Sequence, residues 1–239
     1  MNHSYDASTA LHYAAYRPPL HRSILEEILE NQTFEAGLDV GCGTGQSSLA
    51  LKDRCGKVLA VDSSLEMISH ALKQEGITYR WLTDLLQIDG QYDVITFAGS
   101  WPYVSSQNLV FHLNQLLKNH GLLIIYDFAV QLHRIWNLLD ISVPDDSTAY
   151  DHKADLSHFK VGSIKLLKKK EKTATISASF FQVLHLIMSV SSYRLRLTSQ
   201  YGQKGLQQVL EKRWEKIGKD QLAELPVSIY YTLYQKDNS

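Results

Sequence analysis

The feature that most constrains the fold is a regular alternation of short apolar runs and helical patterns between residues 37 and 130. The apolar runs are continuous, which is typical of strands buried on both faces of a parallel sheet. The segments between them place hydrophobic residues three and four positions apart, as amphipathic helices do. The predicted strands are 37–40, 57–62, 77–82, 92–99 and 122–130, and the predicted helices are 46–53, 64–74 and 108–119. This order favours an α/β fold with helices on both faces of a parallel sheet.

The remainder of the chain departs from this alternation. A helix is predicted to begin near Leu20, just after the prolines at 18 and 19. After residue 130 we predict a short helix from residue 133, a polar loop over 144–158, a solvated strand or hairpin over 164–172, a helix over 205–217 and a closing strand over 227–236. No clean boundary separates these parts, so we expect a single domain over 1–239. Within it, 1–18 forms an N-terminal arm and 131–200 a small cap on the substrate side.

Composition and charge narrow the kinds of partner. The formal net charge of the 239 residues is -1, with basic and acidic residues interspersed, which argues against binding of nucleic acid by bulk charge. The polar N-terminus lacks an apolar signal segment, and no stretch has the length of a membrane span. We therefore expect a cytoplasmic protein without a membrane partner. Its two cysteines, Cys42 and Cys55, are expected to be unpaired.

A glycine-rich stretch, GLDVGCGTGQ, follows directly from the first predicted strand at residues 37–46. Glycines at the end of a strand let the backbone approach a nucleotide-like ligand closely. Gly41, Gly43 and Gly45 give the pattern G-x-G-x-G, and Gln46 stands in place of the third glycine of the dinucleotide pattern. Asp62 ends the next strand, at the spacing expected for a carboxylate that accepts hydrogen bonds from a ribose. The loop and Asp62 together predict a nucleoside-containing ligand.

Three segments together resemble a known family. The stretches GLDVGCGTGQ, AVDSSLEMI and YDVITFA resemble the successive motifs of class I S-adenosylmethionine-dependent methyltransferases, collinearly over roughly residues 10–130. The stretches HYAAYRPPL and SVSSYRLRL are similar to segments of the methyltransferase type 11 or trans-aconitate methyltransferase-like branch. The resemblance implies a doubly wound, mostly parallel, seven-stranded Rossmann-like sheet. Its last strand, 227–236, would run antiparallel.

The resemblance also implies a set of cofactor-binding residues for S-adenosyl-L-methionine. The three glycines would approach the methionine part, Asp39 would position that end, and Asp62 would accept the ribose hydroxyls. The adenine would lie between Ser63 and Met67. The remaining implied residues are Leu82 and Thr83 at the adenine edge (with Asp84 the closest acidic side chain), Ala98 near the sulfonium, and Tyr13 and Arg17 of the arm, which closes over the cofactor.

The methyl acceptor should bind beyond the carboxyl ends of the strands. The branch's His-Trp pair is absent from the stretch GSWPYVSS, so that branch's substrate does not carry over. The candidate catalytic residues are Tyr13, Trp101, Tyr103 and His133. Each has a structural alternative, such as core packing for Trp101 and a non-catalytic histidine at 133. Ser191, Ser192 and Tyr193 would either hydrogen-bond a polar acceptor or form a helix end.

These observations predict an S-adenosylmethionine-dependent methyltransferase that transfers a methyl group to a small carboxylate or hydroxyl compound by in-line displacement. The reaction requires no metal, and no metal-binding motif is visible. A general base is needed only where the nucleophile carries a proton. The alternatives are a methyltransferase for tRNA or protein, a non-catalytic S-adenosylmethionine-binding protein, and a nicotinamide-dependent oxidoreductase. We expect a monomer or a weak homodimer.

Overall fold

The structure, a computed structural model, describes residues 7–138, 141, 150–215 and 222–238, with side chains omitted at 7–10, 134, 138, 203 and 204. The chain divides into two compact units. The glycine-loop unit comprises the described residues of 19–128, 150–172 and 229–239. The helical unit comprises those of 1–18, 129–149 and 173–228.

The elements follow one another in an α/β order. The helices are α1 (Ala7–Ala15), α2 (Leu20–Leu29), α3 (Gln46–Lys52), α4 (Leu65–Ser69), α5 (Trp101–Val104), α6 (Gln107–Leu116), α7 (His133–Leu138), α8 (Phe180–Met188), α9 (Ser191–Tyr201) and α10 (Gln203–Glu215). The strands are β1 (Phe34–Val40), β2 (Cys55–Asp62), β3 (Ile77–Trp81), β4 (Tyr92–Ala98), β5 (Leu117–Val130), β6 (Ile164–Ala178) and β7 (Ala223–Lys236). A short 3₁₀ turn covers Leu85–Gln87.

The seven strands form one sheet in the order β3-β2-β1-β4-β5-β7-β6. Strands β1 to β5 pair in parallel. Strand β7 runs antiparallel to β5, because Thr232 contacts the carbonyl of Ile125 while Gln235, three residues later, contacts that of His120. The predicted doubly wound sheet with an antiparallel last strand is confirmed. Its order reverses between β1 and β4, and open α/β sheets bind ligands at such a switch point.

In the glycine-loop unit, the sheet and its helices share a hydrophobic core. Leu38, Val40, Phe97 and Leu123 are fully buried in it, as continuous apolar strands predict. Helix α2 buries Ile24, Leu25, Ile28 and Leu29, the four positions that its sequence spacing predicts.

The helical unit has a hydrophobic core of its own. Helix α8 begins with a capping box, in which Ser179 accepts the backbone N–H of Gln182 and the Gln182 side chain accepts the N–H of Ser179. Buried side chains of α8, α9 and α10 pack together in this core, among them Leu186, Leu197 and Leu210.

Some predicted boundaries were wrong. Helix α4 ends at Ser69 rather than residue 74. The N–H of Leu72 donates to the carbonyl of Thr44, outside the helix, so the chain does not continue as a helix there. Residues 117–119 are strand rather than helix, because Leu117 pairs with Tyr92 of β4. Part of the arm over 1–18 forms helix α1. Residues 144–149 of the predicted loop and 216–217 of the predicted last helix lie outside the described residues.

Candidate cofactor and active site

The three glycines of the loop after β1 all adopt a positive φ, of 73° at Gly41, 53° at Gly43 and 90° at Gly45. L-residues with a side chain rarely adopt this conformation. Two of the three glycines also lie directly against other residues of the protein. A Cβ on Gly41 would lie 2.3 Å from the Cβ of Ser100, and one on Gly45 would lie 2.3 Å from the Tyr79 hydroxyl. A Cβ on Gly43 would meet nothing within 4 Å. The open side of the loop is therefore at Gly43.

Asp62 lies at the carboxyl end of β2, directly across from this open glycine. Its Oδ2 accepts the N–H of Gly43 at 2.8 Å, and its Oδ1 accepts the N–H of Ser64 at 2.8 Å. Each carboxylate oxygen has a second lone pair, so the group can accept further hydrogen bonds from a ligand. Burial raises the pKa of Asp62, against the lowering effect of these backbone donors. The predicted ribose acceptor is thus fixed against the glycine loop.

Asp39 lies at the base of the loop and is completely buried, with an exposed fraction of 0%. Three hydroxyl groups donate to it: Ser47 at 2.6 Å, Ser48 at 2.7 Å and Thr96 at 2.9 Å. Burial raises its pKa, although the three donors act in the opposite direction. Asp39 therefore ties β1 to α3 and β4, and its predicted effect on a ligand would act through the loop that it holds.

The predicted adenine-side residues differ in their exposure. Ser63 and Thr83 are exposed, whereas Leu82 and Ala98 are half-buried. Met67 is 2% exposed, so its side chain packs inside the protein rather than facing an open surface. The roles of these residues toward a cofactor remain predictions.

Asp84 has a structural function. Its side chain accepts the N–H of Leu86 at 3.0 Å and so caps the 3₁₀ turn at Leu85–Gln87. This hydrogen bond explains the presence of an acidic residue at position 84 without a contact to a ligand.

On the acceptor side, Trp101 and Tyr103 lie in different environments. Trp101 is 1% exposed, donates its indole N–H to the carbonyl of Asp155 at 3.1 Å, and packs edge-to-face against Phe97 and Phe159. These contacts favour the core-packing alternative for Trp101. Tyr103 is 50% exposed and its ring lies 5.3 Å from that of Tyr150.

A cluster that sequence reasoning missed lies beyond the carboxyl end of β4. We call Asp127, Tyr150 and His152 the Asp127 cluster. Nδ1 of His152 lies 2.6 Å from Oδ2 of Asp127, and the Tyr150 hydroxyl lies 2.9 Å from the same oxygen and 2.7 Å from the carbonyl of Gly99. The one sequence signal for it is a charged residue, Asp127, near the end of an otherwise apolar strand. Tyr150 and His152 fall in a polar segment that predicts only a loop.

His152 also borders a cavity of about 220 Å³ in the glycine-loop unit. Tyr126, Tyr230 and Tyr231 contribute to its lining, together with lysines that include Lys153 and Lys169. Lys153 pairs with Glu171 at 2.7 Å, and Lys169 pairs with Asp155 at 2.7 Å. The cavity therefore combines aromatic walls with charged groups that are already neutralised by ion pairs.

The other predicted residues belong to the helical unit. The Arg17 guanidinium donates to the Tyr13 hydroxyl and its Cζ lies 3.7 Å from the centroid of the Tyr13 ring. His133 is exposed at the start of α7. Their roles toward a cofactor or an acceptor remain predictions.

The serine-rich segment forms the first turn of α9, as one of its two interpretations predicts. Ser191 and Ser192 begin this helix, and the ring of Tyr193 packs edge-to-face against Trp136 at 5.2 Å. A role of the segment toward an acceptor remains a prediction.

The described part of the chain offers no group of three metal-binding side chains. Cys42 and Cys55 are both buried and unpaired, and burial raises the pKa of each thiol, that of Cys55 to about 12. Among the helices described, none has both the length and the apolar character needed to cross a membrane.

In comparison with known proteins, residues 38–121 match the model of the family described as "Methyltransferase domain". A Dictyostelium discoideum protein named as a methyltransferase is 28% identical over 149 residues, which cover 60% of this chain and 55% of that protein. A Bacillus subtilis (strain 168) protein named as the methyltransferase YqeM is 29% identical over 132 residues, which cover 51% of each chain. The chain thus spans about half the length of the curated relatives it matches.

Solved structures show the same fold. A structure named as a type II methyltransferase from Anaeromyxobacter dehalogenans superimposes with a TM-score of 0.61 at 18% identity. The match covers 93% of this chain and 98% of that one. At this identity the likeness establishes the fold alone.

Proposed function

Because residues 38–121 match the methyltransferase domain model and the sheet has the class I methyltransferase fold, we propose that this chain transfers a methyl group from S-adenosyl-L-methionine to a small molecule. The acceptor atom would be an oxygen of a hydroxyl or carboxylate. S-adenosyl-L-methionine supplies a methyl group already activated on a sulfonium, so the chain must bind it, align the acceptor and exclude water.

The observation that carries the proposal is the pairing of Gly43 with Asp62. The glycine loop is open at Gly43 alone of its three glycines, and the carboxylate of Asp62 is bound to the N–H of that same residue at 2.8 Å. A backbone without a side chain beside a carboxylate with free lone pairs suits the ribose and methionine parts of the cofactor. The switch point between β1 and β4 puts this pair where open α/β sheets bind ligands.

The other implied residues would complete the site around this pair. Ser63, Leu82, Thr83 and Met67 would surround the adenine, with Met67 as a buried support beneath it. Ala98 would lie near the sulfonium, and Asp39 would act through the loop.

A small acceptor is supported by charge and by the size of the available space. The net charge of -1 gives no electrostatic advantage for a nucleic acid. The cavity of about 220 Å³ that His152 borders suits a compact molecule better than a segment of a macromolecule.

The first test is the variant Asp62→Ala in a calorimetric titration with S-adenosylhomocysteine. Asp62 is a charged acceptor of the hydrogen bonds from the ribose hydroxyls, and removing it should weaken binding by about 1.5–3 kcal/mol. The matched control is Asp93→Ala. Asp93 also accepts a backbone N–H, that of Ala36 at 2.9 Å, but it lies at the start of β4 rather than at the ligand end of the sheet.

Three results would contradict the proposal. Wild-type affinity in Asp62→Ala would remove that residue from the site, and equal losses in the two variants would indicate a general effect on stability. Tight binding of NADH with no binding of S-adenosylhomocysteine would favour the nicotinamide-dependent alternative.

A further inference from the structure

We propose that His152 is the general base of the methyl transfer, and that the acceptor is therefore a compact phenol or alcohol whose oxygen carries a proton. The inference rests on the proposed function and narrows its acceptor from hydroxyl or carboxylate to hydroxyl. Asp127 is a positioning residue that acts through His152.

The geometry of the pair leaves one imidazole nitrogen available. Nδ1 of His152 lies 2.6 Å from Oδ2 of Asp127. A carboxylate accepts hydrogen bonds, so in the neutral imidazole Nδ1 carries the proton and Nε2 has the free lone pair. Among the residues that the structure describes, none forms a hydrogen bond with Nε2. With 38% of its side chain exposed, His152 is accessible to a small molecule.

Asp127 is itself held in place, which fixes the direction of the imidazole. Its Oδ1 accepts the N–H of Phe128 at 2.7 Å, and its Oδ2 also contacts the Tyr150 hydroxyl at 2.9 Å. The His152 ring packs edge-to-face against Tyr150 at 4.7 Å and stacks on Tyr230 at 6.2 Å. An imidazole oriented by a carboxylate is an arrangement that supports general-base catalysis.

The Asp127 cluster is hydrogen-bonded to the turn that follows β4, next to the glycine loop. The Tyr150 hydroxyl lies 2.7 Å from the carbonyl of Gly99, the residue that follows β4. The next residue, Ser100, is the one that a Cβ on Gly41 would meet at 2.3 Å. The Asp127 cluster and the glycine loop thus contact two consecutive residues of one turn, on the ligand side of the sheet.

The surroundings of His152 fit a compact hydroxyl compound. The cavity of about 220 Å³ is lined by Tyr126 and Tyr230 as well as by His152 itself. Asp127 orients His152. The three lysines of the lining each pair with a carboxylate: Lys153 with Glu171, Lys169 with Asp155 and Lys170 with Glu27. Because all three are already paired, none of the described lysines of the lining is an unpaired counter-charge for a carboxylate acceptor.

The chemical step balances with these groups. The acceptor oxygen forms a bond to the methyl carbon as the bond between that carbon and the sulfonium breaks, with the electron pair going to sulfur. Nε2 of His152 takes the proton from the acceptor oxygen, and the imidazolium that forms is stabilised by Asp127. The proton then passes to solvent. The products are the methyl ether and S-adenosylhomocysteine.

The main experiment measures transfer of a labelled methyl group from S-adenosyl-L-methionine to matched acceptors. The probes are phenols and alcohols paired with carboxylates of the same skeleton, such as p-cresol with p-toluate. Loss of a general base should lower kcat for hydroxyl acceptors at least about 100-fold in His152→Ala, with the affinity for S-adenosylhomocysteine unchanged. Added imidazole should restore part of the activity, and Asp127→Asn should lower kcat toward the level of His152→Ala.

The matched control is His158→Ala. His158 is an exposed histidine in the same segment, six residues after His152. This variant should keep the wild-type rate with every acceptor.

A second measurement does not depend on turnover. Diethyl pyrocarbonate modifies a neutral imidazole nitrogen, and peptide mass spectrometry can follow the modification at each histidine. Asp127→Asn should change the rate at which His152 is modified, because the carboxylate at 2.6 Å fixes the orientation of the imidazole, and should leave that of His158 unchanged. Equal rates at His152 in wild type and Asp127→Asn would contradict the positioning role.

The outcomes separate this inference from the proposed function. Transfer that survives in His152→Ala, or transfer to carboxylates alone, overturns the inference and leaves the methyltransferase function standing. No transfer to any acceptor, together with no binding of S-adenosylhomocysteine, overturns both.

Discussion

At the scale of single residues, the glycines of the loop perform different functions. Gly41 and Gly45 are needed because a side chain would collide with Ser100 and Tyr79, which are parts of the protein. Gly43 has no such neighbour, so only its positive φ and its open side explain it. If replacing Gly43 has a larger effect than the backbone strain alone explains, the additional effect comes from a ligand bound beside it.

This reasoning predicts that Gly43→Val abolishes binding of S-adenosylhomocysteine while the chain remains folded. Gly202→Val is a matched control, because Gly202 also has a positive φ, of 70°, and nothing within 4 Å of its missing Cβ. Both variants should lose about 1–3 kcal/mol of unfolding free energy from backbone strain. Calorimetry should show that only Gly43→Val fails to bind. A normal titration of that variant would mean that no ligand approaches the loop there.

The residue scale also shows what the sequence could and could not predict. The glycine pattern and the spacing to Asp62 predict a nucleotide-type loop, and the structure joins Asp62 to Gly43 by a direct hydrogen bond. The Asp127 cluster could not be predicted in this way. Asp127 and His152 are separated by 25 positions and meet only because the fold returns the chain to the end of β5.

At the scale of elements, helix α2 is joined to two strands of the sheet through one carboxylate. Glu27 of α2 pairs with Lys170 at 2.7 Å and with Lys172, both in β6, and accepts the Tyr231 hydroxyl of β7 at 3.1 Å. The hydrogen bonds from Lys170 and then Lys172 lower the pKa of Glu27 from 4.5 to about 2. A lowered pKa in the folded state means that the ionised group stabilises the fold above pH 4.5, and that this stabilisation is lost as the pH falls toward 2.

We therefore expect Glu27→Gln to lower the free energy of unfolding by about 1 kcal/mol at pH 7, a value reduced for solvent screening of this partly exposed group. The difference from wild type should shrink when urea unfolding is measured at pH 3. Glu26→Gln is the control, because Glu26 is exposed on the same helix. A difference between Glu27→Gln and wild type that stays constant with pH would show that the ion pairs are not its cause.

The type of each element could be predicted better than its ends. Buried strands and the apolar face of α2 were found from residue type alone, since their burial depends on a pattern within the element. The early end of α4 was missed, because it depends on a hydrogen bond from Leu72 to the distant residue Thr44. The extension of β5 back to Leu117 likewise depends on its partner strand.

At the scale of the whole molecule, binding at the proposed site should be visible as a gain in stability. A ligand that binds only the folded state at 100 times its Kd contributes about 2.7 kcal/mol. For a chain of this size that corresponds to a rise in Tm of about 5–10 °C. Thermal unfolding with S-adenosylhomocysteine should show this rise in wild type and a smaller one in Asp62→Ala at the same concentration. An equal rise in both would place the ligand elsewhere.

The indole of Trp81 gives the molecule a built-in optical reporter. It is 54% exposed and donates its N–H to the carbonyl of Ser63 at 3.0 Å, next to Asp62. The other three tryptophans, Trp101, Trp136 and Trp214, are all less than 10% exposed. Water-borne quenchers therefore reach one fluorophore far more readily than the rest. The quenchable part of the intrinsic emission consequently comes from the carboxyl end of β3, beside that of β2, so events there can be followed by light without attaching a dye.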